Sequence, residues 1–190
     1  IASGLEDVGI KTIVHGPAVT LDDVYAQIAE LGMATGNEDG AAAVVAEIRS
    51  GIDEVVANAP DGEIPIRVYH ELDDTFFSAT SSSFIGQLYG LFGVENIADP
   101  ADEDGFGFPQ LSAEYVLDED PDLIFLGVVL YGENAATVAA RPGWDALTAV
   151  QNGAIVELDT DVASRWGPRV PELVEAISDA LAAFEAATVS

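Results

Sequence analysis

The chain has no cysteine. Disulfides, thiolate metal sites and a cysteine nucleophile are thereby excluded, while the compartment stays open. Basic residues are almost as scarce: six Lys and Arg stand against 34 Asp and Glu in 190 residues, a formal net charge of −28. Lys11, Arg49, Arg67, Arg141, Arg165 and Arg169 cannot form a patch that neutralises a run of phosphates, which argues against nucleic acid. Two histidines, His15 and His70, are too few for a multi-histidine metal site built from this chain alone. No hydrophobic run is long enough to span a membrane as a helix, and no internal repeat or low-complexity block stands out. The Gly-x-Ser-x-Gly elbow, the phosphate-cradling Gly-x-Gly-x-x-Gly loop, the P-loop and His-Glu-x-x-His are all missing, so the enzymes those motifs mark find no support.

What is present is a folding chain. Hydrophobic residues make up 49% and glycines number 18, the composition of a globular protein and not of a disordered acidic tail. Acidity on this scale reflects solubility or a salty, acid-rich setting more often than a site. It makes each arginine informative, because a cation kept against that background has a specific anionic partner to explain.

Along the chain, "GIKTIVHGPAV" (Gly9 to Val19) alternates and ends in Gly-Pro, which predicts a short strand. Thr20 with Asp23 forms a capping-box variant before a helix whose apolar face is Leu21, Val24, Ile28 and Leu31, and Gly32 is expected to stop it. A second helix is predicted from about Gly40 to Asn58, close to ~30 Å long at the helical rise, ended by Pro60 and Gly62. Strand and helix then alternate: "EIPIRVYHEL", "SSSFIGQLYGLFG", "VENIA", "LSAEYVLDED", "DLIFLGVVL", "PGWDALTAV", "AIVELD" and the closing "GPRVPELVEAISDALAAFEAA". Such alternation predicts an α/β sheet sandwiched by helices, with ligands at the strand ends. Asp99 to Phe108 is the one long Gly- and acid-rich insert. The opening "IASGLEDVGIK" shows no signal peptide and reads as the middle of an element, so a fragment is expected.

Four stretches, in order and at the right spacing, resemble the substrate-binding proteins of ABC importers for ferric siderophores, haem and cobalamin. They are "LDDVYAQIAELGMATGNEDGAAAVVAEIRSGIDEV", "VYHELDDTFFSATSSSFIGQLYGLFGVENIAD", "FPQLSAEYVLDEDPDLIFL" and "RPGWDALTAVQNGAIVELDTDVASRWGPRVPELVEAI". The resemblance implies two α/β lobes joined by one rigid helix, with only part of that plan in this chain. Residues 1–36 would be the last strand and helix of the N-terminal lobe, 37–59 the connecting helix and 60–190 a three-layer αβα, Rossmann-like C-terminal lobe with a mostly parallel sheet. The rest of the N-terminal lobe and a lipoprotein signal with its cysteine would precede it. An extracytoplasmic location follows, in the periplasm or lipid-anchored on the outer face of the membrane.

The same resemblance assigns candidate site residues. Phe108, before Pro-Gln, matches a position where a cobalamin binder presents a ring, against the plain alternative of a loop aromatic folded onto its own lobe. Phe77 matches a ligand-facing loop aromatic, whereas Phe76 beside it reads as core. Arg165 and Trp166, on a loop at the strand ends, offer a guanidinium for carboxylate, hydroxamate or catecholate oxygens and a ring for stacking; a surface ion pair is the plain alternative for Arg165. Glu114 matches an acid that docks on arginines of the membrane permease. With Ser112 as N-cap it also meets the helix dipole favourably, by ~0.3–1 kcal/mol, and both roles are compatible.

Ser81 to Ser83 read as helix caps, Arg169 as a structural tie, Trp144 as core, and Arg141 is left open. In "HELDD" strand alternation puts His70 and Leu72 on one face and Glu71 and Asp73 on the other, so no compact metal-ligand set is implied. The function expected is a non-catalytic binding module that captures an iron chelate (siderophore or haem) or cobalamin, with no covalent cofactor. An α/β enzyme of unknown reaction and an acidic protein-interaction domain are the competing classes.

Overall fold

A computed structural model describes residues 2–60, 66–127 and 132–188. A short helix α1 (Ala2–Glu6) is followed by a stretch without regular structure, and then by α2 (Leu21–Thr35) and α3 (Glu38–Ala57). The Thr20 capping box is formed: its hydroxyl accepts from the Asp23 amide at 3.1 Å, and the Asp23 carboxylate accepts from the Thr20 amide at 2.8 Å. Hydrogen bonds to that carboxylate from the Thr20 amide and hydroxyl and from the Val19 amide hold the Asp23 carboxyl below its ordinary pKa.

The central sheet has four parallel strands in the order β2-β1-β3-β4, with β1 Arg67–Glu71, β2 Glu95–Asn96, β3 Leu123–Leu126 and β4 Ile155–Glu157. Between them lie α4 (Phe84–Gly90), α5 (Ala113–Glu119), α6 (Ala135–Ala139) and α7 (Thr148–Gln151). The chain closes with α8 (Thr160–Ala163) and α9 (Val170–Thr188).

Strand alternation builds two cores, one on each face of the sheet. Val68, Leu123 and Phe125 face Ile48 and Ile52 of α3, Leu88 and Tyr89 of α4, and Leu173, Val174 and Ile177 of α9. Tyr69, Ile124 and Leu126 face Ile97, Val116, Val138, Trp144 and Leu147. All four residues of β3 are buried, as a parallel strand covered on both faces requires. The large side chains in these layers each contribute about 1.5–3 kcal/mol on leaving water. The result is the expected three-layer αβα arrangement on a parallel sheet.

Three sequence expectations are corrected. Residues 10–19 form no strand: no described residue of that stretch pairs with the sheet, and alternation without a ladder partner does not make a strand. Gly32 does not stop α2; it is buried within it, and a Cβ there would lie 2.4 Å from the Cβ of Ala41. Its role is to let α2 and α3 approach, and the helix ends on Gly36 in the left-handed conformation instead. The "PGWDALTAV" segment divides into a 3₁₀ turn, Trp144–Ala146, and the short α7, because Leu147 takes extended backbone to bury its side chain.

The helices α1, α6 and α8 were not anticipated. Glu63 to Pro65 and Val128 to Leu130, parts of two predicted strands, and Gly62 lie outside the described residues.

Candidate functional site

The C-terminal ends of β1 and β3 open onto a cleft of about 590 Å³. His70 and Leu72 line it from β1 and its continuation, and Gly127 from the residue after β3. Ser82 to Ile85 contribute the start of α4, and Gly105, Phe106 and Phe108 the tip of the acid-rich insert. Ala163 to Trp166 complete the lining with Pro17 to Val19, the irregular segment before α2. The surface is mainly apolar. Among the described lining residues Arg165 is the only arginine or lysine.

His70 is fully buried, and its Nδ1 is 2.7 Å from the Tyr89 hydroxyl. Its Nε2 has no partner among the described residues. Burial lowers its pKa to about 4, so the ring is neutral at physiological pH and adds no charge to the cleft. Gly127 leaves room for it: a Cβ there would lie 2.6 Å from Nε2.

On the opposite face of the sheet Glu71 receives two bonds from Arg141, at 2.6 and 2.8 Å, and Arg141 also reaches Glu133 at 2.9 Å. The guanidinium carbon is 4.6 Å from the Trp144 ring centre and 5.3 Å from that of Phe76. Burial pushes the Glu71 carboxyl up, against the pull of Arg141. For Arg141, burial opposes the charge, but hydrogen bonding and proximity to Glu71 and Glu133 outweigh it and raise the pKa. This arginine, left open by the sequence, belongs to an internal ion network on the face of the sheet that does not line the cleft.

Of the residues singled out in the sequence, Phe108, Arg165 and Trp166 come together on the cleft. The Trp166 indole donates to the Gln27 side chain of α2 at 3.1 Å. Arg165 is highly exposed and pairs with Asp161 at 3.1 Å. Phe77 is half-exposed but is not part of the lining; it bridges to Gln110 across the base of the insert. Glu114 is exposed in the first turn of α5, capped by the Ser112 hydroxyl, and likewise does not line the cleft.

Phe76 packs on the second core despite a left-handed backbone, φ 66°. Ser83 caps α4 as expected, and Arg169 is tied to Glu172 of α9. Sequence reasoning passed over Phe106, a residue 77% exposed, and the cleft contacts of His70 and of Pro17 to Val19. The signal for Phe106 was the Gly-Phe-Gly-Phe alternation (Gly105 to Phe108), which sets two rings on one tip. Among the described residues no group of three acids or histidines is placed to hold a metal ion.

A mainly apolar cleft at the strand ends of a parallel αβα lobe, rimmed by Phe106, Phe108 and Trp166, has the shape and lining of a ligand-binding site. Residues 2–162 match the family described as periplasmic binding protein, and the chain belongs to it. Its relatives are binding proteins, not enzymes.

A cobalamin-binding protein of Halobacterium salinarum is 31% identical over 93% of this chain and 48% of its own length. An uncharacterised ABC transporter substrate-binding lipoprotein of Bacillus subtilis, YvrC, is 26% identical over 93% of this chain and 55% of its own. The chain thus spans about half the length of these curated relatives. Among solved structures, a possible iron-binding, periplasmic solute-binding protein from Staphylococcus epidermidis superposes with a TM-score of 0.81, at 23% identity, over 94% of this chain and 69% of that one.

Proposed function

We propose that the chain supplies the ligand-gripping lobe of an extracytoplasmic solute-binding component of an ABC importer, with cobalamin as the first candidate cargo. The observation that carries this reading is the apolar cleft rimmed by Phe106, Phe108 and Trp166, three rings suited to a large flat chelate. The cobalamin-binding relative supports the choice of cargo. Arg165 on the same rim favours a second cargo, an anionic ferric chelate, whose oxygens it can bind. No bond is made or broken in either case; selection is by burial, stacking and charge.

In this reading residues 1–36 complete a preceding lobe, 37–59 are the connecting helix and 60–190 the second lobe. Glu114, exposed away from the cleft lining, is the contact to the permease. Phe77, half-exposed but outside this lining, is a further ligand contact in the same reading.

Titration of the chain with cyanocobalamin, haemin and ferric citrate, followed by tryptophan fluorescence, tests the proposal. Quenching by cyanocobalamin that weakens in Trp166→Phe is expected, and no quenching by any of the three overturns it. A chain of half the relatives' length is expected to bind more weakly than a two-lobe protein, because half a cleft leaves the ligand wet. Glu114→Arg is expected to leave affinity unchanged and abolish uptake in the full-length protein; normal uptake returns Glu114 to the helix dipole alone.

A further inference from the structure

The aromatic tip is held by more than its own sequence. Asp102, at the base of the insert, accepts the Gly107 amide on both carboxylate oxygens, at 3.1 and 3.0 Å. One of those oxygens also accepts from the hydroxyls of Thr80, at 3.1 Å, and Ser82, at 3.3 Å. The Thr80 and Ser82 hydroxyls are 2.8 Å apart. The Thr80 amide returns a bond to the Gly107 carbonyl at 3.0 Å, and the Ser78 amide bonds the Pro109 carbonyl at 3.0 Å.

Thr80 and Gly107 are both buried, whereas Phe106 and Phe108, the neighbours of Gly107, are exposed on the cleft, edge to face with ring centres 6.1 Å apart. Gly107 has φ 89°, a conformation that side chains other than glycine rarely adopt. The one residue between the rings is therefore held in place by a carboxylate that does not itself line the cleft.

We infer that Asp102 is a positioning residue for the binding cleft: it clamps Gly107 to the Thr80–Ser82 turn and thereby presents Phe106 and Phe108 already ordered to the ligand. This rests on the proposed reading of the cleft as a ligand site. An ordered tip has less conformational entropy to lose when ligand arrives. The aromatic partners of the cleft are thus set by an acid in the insert, and the insert's acidity is not all solvation.

The test has one arm that needs no ligand. Hydrogen exchange at the Gly107 amide is expected to be slow in the wild-type chain and fast in Asp102→Ala, with the β3 amides of Leu123–Leu126 unchanged as the check on folding. Unchanged Gly107 exchange in Asp102→Ala overturns the inference whether or not any ligand binds. In the second arm, Asp102→Ala is expected to weaken cyanocobalamin binding about tenfold through lost preorganisation. Asp102→Asn, which keeps an acceptor for the amide, is expected to stay within about twofold.

In a chain already carrying Phe106→Ala and Phe108→Ala, Asp102→Ala is expected to have no further effect, because its action runs through the rings. A loss that simply adds in that background overturns the inference. Binding of none of the three probes by the wild-type chain defeats the proposed function, and the exchange arm still decides the clamp.

Discussion

His70 and Glu71 are neighbours on β1 and both are buried, yet the protein treats them in opposite ways. His70 looks toward the cleft, is neutral, and has a single hydrogen bond to Tyr89. Glu71 looks the other way and is bound by two nitrogens of Arg141, with Glu133 as a third member. The difference teaches what each side of the sheet can tolerate. The cleft side is weakly polar, and its buried imidazole stays uncharged because burial holds the His70 pKa down to about 4. On the far side, outside the cleft lining, a charge network between two rings can tie α6 and the Trp144–Ala146 turn to the strand.

The comparison breaks first, and with the largest effect, at the ion network. Arg141→Leu strands Glu71 and Glu133 in a poorly hydrated site and is expected to cost about 3–5 kcal/mol of stability, read from urea unfolding. Glu71→Leu combined with Arg141→Leu is expected to cost clearly less, since no charge is left unpaired. A single-variant loss below ~1 kcal/mol would mean that water reaches this network as it reaches a surface pair.

His70 gives the next effect, with a definite sign. Its folded pKa, about 4, lies below the unfolded value near ~6.5. Between those two limits the unfolded chain binds the extra proton, so stability falls as pH falls from 6.5 to 4, by about 3 kcal/mol in all. Glu71, whose carboxyl is raised by burial, acts with the opposite sign in the acid part of the same window. The difference between wild type and His70→Gln therefore isolates the histidine: the variant's stability is expected to be flatter across this range. Parallel curves would show that the ring titrates freely.

Gly127→Ala probes the same ring sterically. The added Cβ would stand 2.6 Å from Nε2, and overpacking of this kind costs about 1–3 kcal/mol. Thermal unfolding is expected to show it, with cleft affinity falling in parallel because the floor has moved. An alanine tolerated without loss would mean that the strand ends shift freely beneath the ligand.

Most of the layer plan was legible in the sequence because strand and helix periods differ. His70 and Leu72 were assigned to one face and Glu71 to the other by alternation, and the structure places them so. The Thr20–Asp23 box and the Ser83 and Ser112 caps were equally readable, since local chemistry decides them. Residues 10–19 were not, because whether an alternating segment pairs depends on a neighbour that its own sequence does not contain. Gly32 misled for a related reason: a glycine reads as a stop unless the opposing Ala41 is known.

At the site, Phe108, Arg165 and Trp166 were found through family resemblance. Phe106, His70 and Asp102 emerged only when the cleft and its supports were assembled. Asp102 in particular sits in a run of acids where nothing local separates it from Glu103 or Asp104.

The smallest stability effect is expected at Arg165, and it completes the contrast with Arg141. Both arginines are paired with acids, but the Arg165 side chain is 75% exposed and that of Arg141 only 15%. Screening by water leaves the Arg165–Asp161 pair worth under about 0.5 kcal/mol, so Arg165→Ala is expected to unfold within that margin of wild type. Its effect is instead expected in binding. If the cation serves an anionic chelate, affinity for ferric citrate falls severalfold in Arg165→Ala while affinity for cyanocobalamin holds. If both affinities hold, the rim works through its rings alone and Arg165 is no more than one end of a solvated ion pair. The same guanidinium group thus supports the fold when buried between Phe76 and Trp144, and can only select a ligand when left on the rim.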